Sequence, residues 1–283
     1  MNGLVTRSIT GVVFVAVMVC GMLWCNVSMD ALFMVITALG SVELCGLLNR
    51  YKSLQLNVVL CCIASVAVYQ ALFATFMRSL VSDMSMLLFL WAVAALLLLA
   101  ILVSELYRKK LSPLSNMAYS IFAVFYVAVP FAMVGLLASV SLMNNVVAAQ
   151  LPLAVFVLLW CNDAGAYCFG CTLGKHRLFE RVSPKKSWEG SIGGAAVSIG
   201  AIIAVSLTMP LFFGYMPLVK WIGLALVVTV SGTLGDLTES LMKRELGVKD
   251  SGKILPGHGG ILDRFDSSLF AIPASSVYII LVQ

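Results

Sequence analysis

MSMLLFLWAVAALLLLAILVSE, residues 84–105, decides the fold. A helix rises about 1.5 Å per residue, so a run of this length covers the roughly 30 Å hydrocarbon core of a bilayer. Comparable runs recur along the 283 residues, giving about nine expected spans at 8–27, 30–48, 55–76, 84–105, 117–138, 145–170, 189–210, 218–242 and 265–282. A mean hydropathy of +1.03, with 61% hydrophobic and 11% charged residues, lies outside the range of soluble globular domains. The alternating strand pattern of an outer-membrane barrel is absent. The sequence therefore predicts an all-α, polytopic helical membrane protein. It predicts one integral membrane domain over 1–283, with N-terminal spans in 1–150 and the chemistry-bearing spans and loops in 151–283.

The first run carries Arg7 ahead of its apolar stretch, as a signal peptide does, but no small-residue cleavage site follows and it is expected to remain as the first span. Most of the eight cysteines fall in apolar runs, where cysteine packs as a small hydrophobe. Cys168 and Cys171 form a C-x-x-C without a second ligand pair, which favours helix-end packing over a zinc or redox site.

The cations orient the spans. With the N-terminus cytoplasmic, 16 of the 18 Lys and Arg residues fall on the cytoplasmic face, and only Arg78 and Lys220 fall opposite. The two longest polar loops, about 171–188 and 243–264, then share that face.

Charge is concentrated in one stretch, SGTLGDLTESLMKRELGVKDSGKILPGHGGILDRFDSS, residues 231–268. Helical spacing puts Asp236, Glu239, Ser240 and Lys243 on one face. An acid inside a span costs about 2.5–3.5 kcal/mol to insert, so two acids one turn apart call for a role beyond membrane stability. Glu239 and Lys243 are spaced for a structural pair, whereas Asp236 lacks an obvious local cation and reads as a metal ligand. The loop from Lys249 and Asp250 through Lys253, Pro256, Gly257, His258, Gly259 and Gly260 is glycine-rich and basic, suited to cradling phosphate. It lacks the G-x-x-x-x-G-K-[ST] order of a P-loop. For His258, a phosphate donor, a proton carrier and a loop-orienting hydrogen bonder all stay open. Asp263 and Asp266 then flank Arg264, one turn apart, at the entry to the last span. Carboxylates on separate helices can bridge divalent cations in phosphoryl chemistry. A second constellation, Asn162-Asp163 with Ser183-Pro184-Lys185-Lys186-Ser187-Trp188-Glu189-Gly190, adds an intramembrane acid and a turn expected to start a helix while presenting two ammonium groups.

These residues resemble the signature of the phosphatidate cytidylyltransferases, or CDP-diacylglycerol synthases. Its S-x-x-K-R element stands at Ser240 to Lys243-Arg244, its K-D at Lys249-Asp250, and its P-x-H-G-G-x-x-D-R-x-D at Pro256–Asp266. The S-P-K-K-[ST]-W-E-G element stands at Ser183–Gly190. The resemblance covers about 160–268 and is generic before that. It implies transfer of CMP from CTP to phosphatidic acid, releasing pyrophosphate, with a Mg²⁺ requirement, a second cation left open, and a homodimer in the cell (cytoplasmic or inner) membrane. Under it, Asp236, Asp263 and Asp266 are the metal ligands, and Lys243 and His258 join them in the catalytic set. Lys185, Lys186, Ser240, Arg244, Lys249, Asp250, Lys253, Gly259, Gly260 and Arg264 contact substrate. No nucleic-acid partner is implied. An ion-coupled transporter also uses acids within spans, but it predicts midplane charges and inverted repeats; here the charges lie at one border and no repeat is visible.

Overall fold

Nearly every apolar run of the chain is a helix in the computed structural model, which describes residues 3–51, 54–78, 83–252, 254 and 259–282, the side chains of 3–8 and 211 excepted. The helices run in the order α1 (Gly3–Leu23), α2 (Asn26–Leu48), α3 (Val58–Phe76), α4 (Met84–Tyr107), α5 (Pro113–Met143) and α6 (Gln150–Leu173). A short hairpin, β1 (Arg177–Phe179) and β2 (Ser183–Ser187), leads to α7 (Trp188–Thr208), α8 (Pro210–Phe213), α9 (Leu218–Glu245), α10 (Leu262–Phe265) and α11 (Ser268–Val282). Among the described residues eight helical stretches are long and apolar enough to cross a membrane, the last running Leu262–Val282. The chain is a polytopic helical membrane protein. In α1, the expected first span, Ile9–Leu23 is a shorter apolar helix.

Two expectations shift. The span placed at 145–170 begins later, at Gln150, because Asn145 takes a left-handed φ of 58° just after α5. Lys185 and Lys186 lie on strand β2 rather than in a helix-start turn, since β1 pairs antiparallel with it, Arg177 opposite Ser187. Helix α7 itself starts at Trp188, where Ser187 caps it by accepting the Gly190 N–H at 3.2 Å.

The chain packs as two compact units. One comprises 1–139 with 245–265. Its core is built from Met29, Phe33, Leu44, Tyr69, Phe131 and Phe265, all fully buried. Phe265 sets its ring edge-on against Phe131 at 5.4 Å, tying α10 to α5. Several buried polar groups inside this unit are paired, as burial favours. Ser41 of α2 meets Ser65 of α3 at 2.8 Å. Glu105, buried near the end of α4, pairs with Arg108 and accepts from Asn116 Nδ2 at 3.0 Å, while Asn116 Oδ1 accepts the Gln55 N–H at 2.9 Å.

The other unit comprises 140–244 with 266–283. Helices α6 and α7 approach closely through small residues: a Cβ on Gly194 would stand 2.6 Å from Asn162 Oδ1. Trp221 is fully buried in α9, and its indole N–H donates to the Phe213 carbonyl at 3.0 Å, fixing α8 on α9. Ser198 of α7 donates to the Leu158 carbonyl of α6 at 2.9 Å.

Candidate active site

A cleft of about 300 Å³ opens in the second unit, where α6, β2, α7, α9 and Ser267 converge. Its charged walls are Asp163, Lys185, Lys186 and Asp236. The pairing of β2 with β1 is irregular across these lysines, and both line the cleft. Lys186 Nζ stands 2.5 Å from Asp236 Oδ2, each side chain about a quarter to a third exposed (27% and 30%), while Lys185 is exposed. Asp236 thus has a cation partner, drawn from another element rather than from its own helix. Its Oδ1 accepts from Ser240 Oγ at 3.2 Å, one turn along α9.

The next turn of α9 holds the predicted pair. Lys243 Nζ lies 3.2 Å from Glu239 Oε1, with both residues buried. Arg244 is exposed and its Nε donates to the Val182 carbonyl at 3.4 Å. Asp266 accepts from the Ser267 N–H at 2.6 Å and from Ser267 Oγ at 3.2 Å. Asp236, Lys243 and Asp163 all lie close enough to Asp266 to act on it electrostatically. The backbone allows the approach because Gly235 has no Cβ; one there would stand 2.5 Å from the Asp266 carbonyl. Asn162, only 5% exposed, lines the cleft, while its Oδ1, which has no hydrogen-bond partner among the described residues, is buried against Gly194 of α7.

The remaining residues of the signature belong to the first unit. Asp263 Oδ2 accepts two backbone N–H groups, from Ser251 at 2.9 Å and Gly260 at 2.8 Å. Gly259 takes a φ of 84°, a left-handed turn that glycine adopts freely. Lys249, Asp250 and Arg264 are exposed. Lys253, Pro256, Gly257 and His258 lie outside the described residues.

Sequence reasoning missed Glu43. This buried residue of α2 accepts the Ile261 N–H at 2.8 Å and the Leu262 N–H at 3.1 Å, and pairs with Ser251 Oγ. It missed Glu105 as well. The signal was present, because each is an acid embedded in an apolar run.

No set of three His, Cys, Asp or Glu side chains is gathered at metal-ligating spacing among the described residues. The second unit does offer carboxylate oxygens from Asp236 and Asp266. That donor chemistry fits Mg²⁺, which binds through one or two carboxylates together with waters and substrate phosphates.

A profile described as the cytidylyltransferase family matches residues 5–282. A protein of Staphylococcus aureus (strain COL) named phosphatidate cytidylyltransferase is 48% identical over 130 residues. Proteins of the same name from Staphylococcus saprophyticus and Staphylococcus epidermidis are each 46% identical, over 130 and 129 residues. Each match covers 45% of this chain and 48% of the relative, so the chain spans about half the length of the curated relatives it matches.

Proposed function

This chain belongs to the cytidylyltransferase family, and from that premise we propose that it transfers CMP from CTP to phosphatidic acid, forming CDP-diacylglycerol and pyrophosphate. The observation that carries the reading is the cleft in which Lys186 and Asp236 pair beside Asp163 and close to Asp266. A triphosphate needs cations, and a divalent ion that accompanies it needs carboxylates; this cleft supplies both.

The lipid phosphate is already anionic near neutral pH, so its oxygen attacks the α-phosphorus without a strong general base. The protein's work is alignment and charge neutralisation. Lys186 and Lys185 bind triphosphate oxygens, and Arg244, Lys249, Lys253 and Arg264 serve the triphosphate or the lipid phosphate. Ser240 orients Asp236 through the Oγ to Oδ1 hydrogen bond. Lys243, paired with Glu239, lowers the negative potential around Asp266. Asp236 and Asp266 hold Mg²⁺, which when bound offsets the charge developing on the phosphates. Asp263 keeps its proposed place among the metal ligands on the strength of its position in the signature. His258, Asp250, Gly259 and Gly260 are likewise proposed from the signature, with the three roles for His258 still open.

The cation asymmetry along the sequence supports placing the catalytic loops on the cytoplasmic side of the cell membrane, where CTP is available. A homodimer, and a second cation beside Mg²⁺, are proposed from the family resemblance alone. The family match gives no support to an ion-coupled transporter. Purified chain in detergent, given CTP, phosphatidic acid and Mg²⁺, should yield a CDP-lipid separable in the organic phase. Folded protein that yields none under these conditions would contradict the proposal.

A further inference from the structure

We infer that Glu43 is a positioning residue for the signature loop, fixing from α2 the backbone that orients Asp263; the inference rests on the reading above that this loop serves cytidylyl transfer. Glu43 stands in an apolar helix and is only 7% exposed. A leucine would fill such a position without desolvating a charge. The distinctive property of the acid is its acceptor oxygens, and these are turned to residues more than two hundred positions away in sequence. Oε1 receives the Ser251 hydroxyl and the Leu262 N–H at 3.1 Å, and Oε2 receives the Ile261 N–H at 2.8 Å.

The loop is shaped to admit this carboxylate. A Cβ on Gly260 would stand 1.8 Å from Glu43 Oε1, and one on Gly252 would stand 2.7 Å from Oε2. No side chain larger than hydrogen fits at Gly260 while Glu43 holds its place. Gly252 and Gly260 therefore have a steric purpose that phosphate cradling alone does not give them.

Asp263 grips the same two strands of backbone. Its Oδ2 takes the N–H groups of Ser251 and Gly260, so Ser251 is held through its N–H by Asp263 and through its hydroxyl by Glu43. On the other side, residue 260 donates to Asp263 while 261 and 262 donate to Glu43. Two carboxylates thus clamp the ends of the 251–260 loop to each other. The orientation of Asp263 depends on two N–H groups whose backbone Glu43 sets. Groups that orient a metal ligand typically cost about 10–100-fold in metal affinity or activity when removed.

The test uses the full chain in detergent, as wild type, Glu43→Gln, Ser251→Ala and the double variant. The first readout needs no substrate: the rate of tryptic cleavage after Lys249 and Lys253, relative to cleavage elsewhere. The second is kcat, the KM for CTP and the Mg²⁺ concentration giving half-maximal rate. Glu43→Gln should speed loop cleavage, lower kcat about 10–100-fold and raise the Mg²⁺ requirement, while the thermal midpoint stays near that of wild type. Ser251→Ala should move each quantity in the same direction by less. The double variant should be no worse than Glu43→Gln, because both remove one shared contact. Wild-type loop protection, kcat and Mg²⁺ dependence in Glu43→Gln would overturn the inference, and so would fully additive effects in the double variant. Should Glu43→Gln fail to fold, an unchanged Ser251→Ala overturns it equally. If wild-type protein transfers no CMP, the proposed function fails, and the cleavage arm still decides whether Glu43 holds the loop.

Discussion

Lys186 Nζ and Asp236 Oδ2 stand 2.5 Å apart, joining strand β2 to helix α9 across the floor of the cleft. The pair unites an element that carries cations with one that carries carboxylates, although fifty positions separate them in the sequence. Losing the cation leaves Asp236 without its partner and the triphosphate without a donor. Lys186→Met is therefore expected to reduce kcat/KM for CTP at least about tenfold, corresponding to ~1.4 kcal/mol of transition-state stabilisation. Lys185→Met, at the more exposed lysine of the same cleft, should cost less. Steady-state kinetics on both variants check the order; equal losses would contradict the leading role given to the Lys186–Asp236 pair.

Asp263→Asn should abolish turnover while leaving membrane insertion and folding intact. The amide keeps one oxygen for the Ser251 and Gly260 N–H groups, so the loop retains much of its support while the ligand charge is lost. Activity retained across a range of Mg²⁺ would remove Asp263 from the metal ligands.

Chelation offers a test of the metal without mutation. Exhaustive treatment with EDTA should bring cytidylyl transfer to background, and Mg²⁺ should restore it. The thermal midpoint of the protein without substrate should shift little, because the two-carboxylate set of the second unit is completed by substrate phosphates. Full activity in chelator would exclude a divalent ion from the reaction.

Gly194→Val probes the packing that shapes the cleft. A Cβ there would meet Asn162 Oδ1 at 2.6 Å, and α6 and α7 would have to separate. Overpacking of this kind costs about 1–3 kcal/mol, so the thermal midpoint in detergent should fall and the KM for CTP should rise. An unchanged midpoint would show that the two helices tolerate a wider spacing.

Much of the fold was legible because apolar runs of membrane length are a strong signal, and the expected spans fall on the helices with shifted ends. Hairpin β1–β2 was not legible. Its strands are short and charged, carry no apolar alternation, and are defined by a pairing of Arg177 with Ser187 that local sequence does not reveal. The α9 face was legible from i,i+4 spacing, and Ser240 with Asp236 and Lys243 with Glu239 both meet. The partner of Asp236 was not, since it comes from another element. Glu43 and Glu105 were overlooked because lone acids in long apolar runs barely alter hydropathy. Each costs about 2.5–3.5 kcal/mol to insert within a span, as Asp236 does.

The most direct test of cytidylyl transfer is to follow two labels in one reaction. Purified protein with phosphatidic acid and Mg²⁺ is given CTP labelled at either the α- or the γ-phosphate. The account predicts α-label in the organic phase as CDP-diacylglycerol and γ-label in the aqueous phase as pyrophosphate, in equal amounts. Gamma-label appearing as inorganic phosphate with no α-label in lipid would contradict it.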